Sequence, residues 1–368
     1  MRKQFRRSAS LFLLTLALMA QLIVPAFAAS DTTWFVDVDQ SSPWYEGVTY
    51  LAEQGITNGT GANCYSPDAP ITVRQLVTML CRAYGITEAL ETPDENFGAG
   101  CVQYGYTEGW LDMYAASEPD AQMCRGALYQ AVFRAVGLEV YNYALYPDGV
   151  LLSGYENCLR VGKELGLCPE DTEALESVTR GEVAKLLLDV LTQELQVAAP
   201  PLATEFPIKN NAGASMNDYL MELQRVPDCI LKEFQKRGWT YAVDYEYLNQ
   251  YNETYNGSNY IGLANYGTKY IYVSQASATV HEFGHFLDRV LNFPAKHTAL
   301  YESEKDTAGE VLRDYALTNK REYFADYFAF WIRYRNDAER MERLRAATPE
   351  TYQYFTELEA NNWGCLAG

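Results

Sequence analysis

The pentapeptide His281-Glu282-Phe283-Gly284-His285 sits inside Ala276 to Leu291, a run with helical pattern in which Phe286, Leu287 and Val290 supply apolar contacts. Residues four apart share one face of a helix, so both imidazoles can reach one cation while Glu282 addresses the water on it. The chain holds three histidines, and two of them are here. Zinc suits such a donor set, because it takes three protein ligands and keeps one position open. It also lowers the pKa of its water to about 7, so that a glutamate can take the proton as the water attacks a peptide carbonyl. The expected chemistry is hydrolysis of peptide bonds with one zinc ion, His281 and His285 as ligands and Glu282 as general base.

The surroundings read as a small sheet ahead of a helical half. Tyr270 to Val273 is a strand candidate just upstream, and a strand beside the active-site helix is what an extended peptide could pair with. Tyr260 to Ala264 is another, and Asn265-Tyr266-Gly267 between them is a hairpin signal. Trp239 to Val243 also looks extended. Met216 to Arg237 carries Leu220, Leu223, Val226, Ile230, Leu231 and Phe234 at helical spacing and stops at Gly238. Everything after Ser277 reads as helix and connection, which makes this domain α+β.

The third metal ligand sets the subclass. A metzincin needs Gly at 288 and His at 291, whereas the chain has Asp288 and Leu291. His297 follows Pro294, beyond the expected helix end, and is the weaker candidate. Glu322 is the stronger one. Asn319 can cap a helix that places Glu322 in its first turn and Asp326 one turn later on the same face. Gluzincins use this arrangement, the glutamate binding metal and the aspartate orienting a histidine ligand from behind. The competing readings are a helix-start acid favoured by the dipole for Glu322 and a surface charge for Asp326.

His281-Glu282-x-x-His285, Glu322-x-x-x-Asp326 and Tyr315, seven residues before that glutamate, together resemble the anthrax lethal factor catalytic domain and its small secreted relatives, the Pro-Pro endopeptidases. The resemblance spans about residues 205 to 368. It implies a zincin-like fold and gives Tyr315 the family's oxyanion-stabilising role, which a phenol donor near the metal suits physically. A preference for proline-rich bonds is implied by these relatives alone.

The N-terminal half has a faint period of about 52 to 57 residues across 34–195. Gly55-Ile56, Gly109-Trp110 and Gly166-Leu167 recur at helix ends. Thr72-Val73-Arg74-Gln75, Cys124-Arg125-Gly126-Ala127 and Thr179-Arg180-Gly181-Glu182 recur at helix starts. These units resemble the S-layer homology (SLH) module, whose triplicate form anchors proteins to secondary polysaccharides of Gram-positive walls. The family's Thr-Arg-Ala-Glu motif is matched best by the third unit and is damaged in the other two. The resemblance makes Arg125, Thr179, Arg180 and Glu182 candidate wall-polymer contacts. The competing reading is a helical repeat that merely presents the C-terminal domain.

Residues 1–28 read as an export signal: Arg2, Lys3, Arg6 and Arg7, an apolar run from Leu11 to Val24, then Ala26-Phe27-Ala28. The apolar run is too short for a membrane span, and no later stretch is long and apolar enough. The formal charge of -19 becomes -23 without those four bases, which disfavours nucleic acid and anionic lipid as partners. Six of the eight cysteines precede residue 196 and two follow it, so pairing within each half and buried free thiols both stay open.

The expected architecture is multidomain: signal peptide 1–28, a mainly α triple SLH-like repeat at 34–195 (units about 34–86, 87–140 and 141–195), linker 196–214, and a metallopeptidase domain at 215–368. The expected function is a secreted, wall-associated zinc endopeptidase acting on extracellular or surface proteins. The alternative from another class is a wall-anchored binding or structural protein whose metallopeptidase domain is inactive.

Overall fold

The computed structural model of the chain describes residues 34–91, 96–255 and 259–365; the expected export signal lies outside the described residues. Helix dominates, and the named strands form one four-stranded sheet. The chain divides into two compact units: the described residues up to Ala69 with Thr179–Leu188, and Pro70–Val178 with the described residues from Asp189 onward.

The longer helices of the N-terminal half are α1 (Tyr45–Glu53), α2 (Val73–Ala83), α3 (Ala99–Thr107), α4 (Arg125–Val136), α5 (Gly154–Glu164) and α6 (Arg180–Thr192). Gly55, Gly109 and Gly166 follow α1, α3 and α5 with φ of 67°, 76° and 69°. This left-handed conformation closes a helix and favours glycine, which is why the same residue recurs at each end. The segments ahead of α2, α4 and α6 run extended and meet: Thr72 bridges Gln122, Cys124 bridges Ser177, and the Met123 N–H donates to the Ile71 carbonyl at 3.0 Å. In the first unit Gly47 lets α1 lie directly on α6, since a Cβ there would stand 2.8 Å from the Ala184 carbonyl.

The stretch expected as a linker is built into the second unit. Pro201–Glu205 forms one helical turn, with proline at its start where no N–H is needed, and Ile208–Asn210 forms strand β1. Phe206 is buried and stacks on Phe234 at 5.5 Å. Glu139 accepts from the Ser215 hydroxyl at 2.7 Å and the Met216 N–H at 2.9 Å, and the Asn142 N–H donates to Asn217 at 2.7 Å. Leu145 joins the same core as the C-terminal helices. The single helix expected over Met216 to Arg237 is instead two, α7 (Asn217–Leu223) and α8 (Asp228–Lys236). Pro227 divides them, because it lacks an N–H and disfavours helical backbone at Val226.

Strands β2 (Thr240–Val243), β3 (Gly262–Asn265) and β4 (Tyr270–Val273) join β1 in the order β1-β2-β4-β3. The β1–β2 and β2–β4 pairs are parallel; β3 and β4 form the expected hairpin, Gly262 opposite Val273 and Asn265 opposite Tyr270. Strand β4 therefore has both sides taken, and among the described residues the edge strand beside the site is β3, not β4 as the sequence suggested. Side chains alternate across the sheet. Tyr241, Val243, Ile271 and Val273 face the main core, while Ala242 and Tyr272 pack with Leu248 of α9 (Tyr245–Thr254).

The helical half consists of α10 (Thr279–Val290), α11 (Ala295–Ala308), α12 (Lys320–Tyr334), α13 (Ala338–Ala347) and α14 (Pro349–Ala360). Phe283 and Phe286 of α10 meet Phe234 at 4.9 and 5.1 Å, which turns the opposite face of α10 towards α12. Gly284 sets that crossing. A Cβ there would lie 2.7 Å from the Ala325 Cα, so only glycine lets the two backbones come this close. All eight cysteines are free thiols; Cys81 and Cys101 interact, as do Cys229 and Cys365. No helix among the described residues is long and apolar enough to cross a membrane.

Candidate metal centre

The α10–α12 crossing brings His281, His285 and Glu322 together, with one ligand atom from each lying within 4.8 Å of the others. Asn319 starts α12 by accepting from the Arg321 and Glu322 N–H groups at 2.9 and 3.2 Å, which fixes Glu322 in the first turn. One oxygen of Glu322 stands 3.0 Å from His281 Nε2 and 3.3 Å from His285 Nε2. Donors held tetrahedrally on a zinc ion lie roughly 3.3–3.6 Å apart, so the Glu322 oxygen stands near that spacing from both imidazole nitrogens, and two imidazoles with a carboxylate are a donor set that suits zinc.

Asp326, one turn after Glu322, accepts from His281 Nδ1 at 2.9 Å. That contact leaves Nε2 as the nitrogen facing Glu322 and His285. Arg313 is the residue sequence reasoning missed. Its Nε lies 2.9 Å from both oxygens of Asp326 and its Nη2 2.5 Å from one of them. Arg313 belongs to the connection after α11, and nothing in its local sequence marks it as a partner for an aspartate 13 residues later.

Electrostatics follow from crowding. Burial pulls the His281 pKa down, but hydrogen bonds to Asp326 and Glu322 outweigh it and raise the value to about 9. Burial pushes Glu322 up, and the two imidazoles more than reverse this, leaving its carboxyl below the usual range. Glu282 is buried and raised, chiefly by desolvation, despite the nearby histidines and the Ala264 N–H. It lies under β3, where a Cβ on Gly262 would stand 2.5 Å from the Glu282 Oε1. Tyr315 sits in the 3-10 turn Asp314–Leu317, its ring 6.0 Å from that of His281. Burial, then the Glu322 charge, raise its pKa, so it remains a neutral donor.

His297 lies elsewhere. Its Nδ1 meets Asp288 at 2.7 Å and its Nε2 meets Tyr354 at 2.8 Å, a buried bridge between α10, α11 and α14. The repeat residues are occupied too. Thr179 and Glu182 cap α6 reciprocally, the Thr179 N–H donating to Glu182 at 2.7 Å and the Glu182 N–H to Thr179 Oγ1 at 3.3 Å. Thr72 and Gln75 do the same at α2. Arg125 pairs with Glu176 at 2.6 Å. Arg180 is 4% exposed, donates to the Tyr65 carbonyl and lies over the Tyr65 ring at 4.7 Å.

Comparison with known proteins places both halves. Residues 219–358 match the family described as anthrax toxin lethal factor, N- and C-terminal domain, and residues 35–72 match the S-layer homology domain. Both resemblances read from the sequence are thereby borne out, the second for the first of the three units. Over 187 residues the chain is 26% identical to a "Cell surface protein" of Thermoanaerobacter kivui, covering 47% of this chain and 23% of that protein. The chain thus aligns with less than a quarter of that relative's length.

Proposed function

We propose that the C-terminal half is a zinc-dependent endopeptidase held at the cell surface by SLH-like repeats over residues 34–195. The observation that carries the reading is the convergence of His281, His285 and Glu322 from two crossing helices, with the buried acid Glu282 beside them. Zinc, when bound there, would supply a Lewis acid and an acidified water. Glu282 takes the proton of the attacking water and passes it to the leaving amine, work for which its raised pKa suits it. Tyr315 donates a hydrogen bond to the oxyanion. An extended peptide lies along the edge of β3, its backbone pairing beside α10. Substrates are protein segments at or near the surface, with proline-rich ones suggested by the family resemblance.

Surface retention is supported by the S-layer homology match and by the relative's description as a cell surface protein. Wall polymer would be gripped by Arg125, Thr179 and Glu182 beyond their local contacts, without Arg180. Purified protein loaded with one zinc should cleave a peptide library and stop on chelation. Glu282→Ala should bind zinc as the parent does and lose roughly 100- to 10,000-fold in kcat, the usual worth of a general base. Cleavage by Glu282→Ala at the parent rate would falsify the catalytic reading.

A further inference from the structure

We infer that Arg313 is a positioning residue that locks the His281 imidazole and the Tyr315 turn to each other through Asp326. The inference rests on the zinc reading above and extends it to a side chain outside the ligand set. Asp326 is 5% exposed along its side chain while Arg313 is 59% exposed, so a surface-mounted guanidinium reaches inward to a buried carboxylate. Its fork spans both Asp326 oxygens. Such a planar two-point contact fixes the carboxylate plane as well as its position.

Consequences run in two directions. A carboxylate held by arginine can only accept, so His281 must turn an Nδ1–H towards it and keep the Nε2 lone pair for a metal. Nη2 also lies 3.3 Å from His281 Nδ1, which leaves little room for the ring to rotate. In the other direction, Arg313 precedes Tyr315 by two residues and its guanidinium carbon lies 5.5 Å from the Tyr315 ring centre. The same side chain therefore pins the turn that carries the phenol. Charge is consistent: a divalent cation and Arg313 together offset the three carboxylates of Glu282, Glu322 and Asp326.

The test uses the full chain with Arg313→Gln, Arg313→Lys, Asp326→Asn and the Arg313→Gln/Asp326→Asn pair. Zinc affinity is read by competition with a chromogenic chelator, folding by circular dichroism and cleavage with a model peptide. Arg313→Gln should weaken zinc about 10- to 100-fold, the range seen when a partner behind a histidine ligand is lost. Arg313→Lys, which keeps charge but not the fork, should restore part of that. In the Asp326→Asn background the Arg313→Gln effect on zinc should vanish, because the arginine acts through that carboxylate. Unchanged zinc affinity in a folded Arg313→Gln protein, or additive losses in the pair, overturn the inference while leaving the parent enzyme intact. Failure of the parent itself to bind zinc removes the enzyme reading, and this inference with it.

Discussion

The α10–α12 crossing and the start of α6 use the same kinds of side chain for opposite ends. At α6, Thr179 and Glu182 are three residues apart and satisfy each other's backbone N–H, a contact closed within one turn. At the crossing, His281 and Glu322 are 41 residues apart and meet because Gly284 and Ala325 let two backbones touch. Polar groups drawn together from distant elements, at the cost of burial, form a site; polar groups that close on their own turn form a cap. The motif that most resembled a wall-binding signature is, in this structure, first of all a device for starting a helix.

The largest test of that contrast is pH, because the convergent histidine and glutamate titrate in displaced ranges that a metal would oppose. In metal-free protein His281 stays protonated up to about pH 9, above its ordinary 6.5. Zinc must displace that proton, so its apparent affinity should fall about tenfold for each unit below 9, or roughly 100-fold between pH 9 and 7. Metal-free stability should run the other way. The raised His281 value contributes stability fully below 6.5 and loses it as pH rises through about 9. The depressed Glu322 value contributes above its ordinary 4.5 and loses it as pH falls. Thermal melts of the chelated protein should therefore peak between pH 4.5 and 6.5, while zinc titrations strengthen steadily to pH 9. Parallel trends in the two measurements would contradict the picture of a proton and a metal competing for one nitrogen.

Gly284→Ala comes next. Its Cβ would stand 2.7 Å from the Ala325 Cα and 2.9 Å from the Ala325 carbonyl oxygen, backbone atoms that cannot swing aside. Overpacking of this kind costs about 1–3 kcal/mol, and separating α10 from α12 should weaken zinc binding as well as lower the melting temperature of the metal-free protein. If zinc affinity is untouched, the close crossing is not what assembles the ligands.

Legibility in the sequence followed the range of the interaction. His281 and His285 were readable because a helix fixes their relation, and Glu322 because Asn319 announced where its helix begins. Pro227 marks the helix break in the sequence, although the apolar spacing runs on through Val226 and masks it. Strand β1 was not readable, since three residues carry no period and its neighbours Pro200 and Pro201 suggest a tether; it exists because Phe206 is drawn into the core. Arg313 and the edge of β3 depend on how separate elements pack, which no local pattern encodes.

The smallest prediction tests the cap side of the comparison. Thr72 and Cys124 precede α2 and α4 with nearly the same backbone, φ of -98° and -88° with ψ of 161° and 163°. Thr72 accepts from the Gln75 N–H, whereas Cys124 makes no side-chain cap. Cys124→Thr would supply the missing acceptor for the Ala127 N–H in a conformation the chain already adopts, and should stabilise by about 1 kcal/mol, the usual worth of such a cap. Thr179→Ala should cost a similar amount at α6. Urea midpoints read both effects, which should be opposite in sign and leave zinc affinity unchanged. If Cys124→Thr gives no gain while Thr179→Ala lowers binding to isolated wall polysaccharide without shifting the midpoint, the threonine serves the wall rather than the helix.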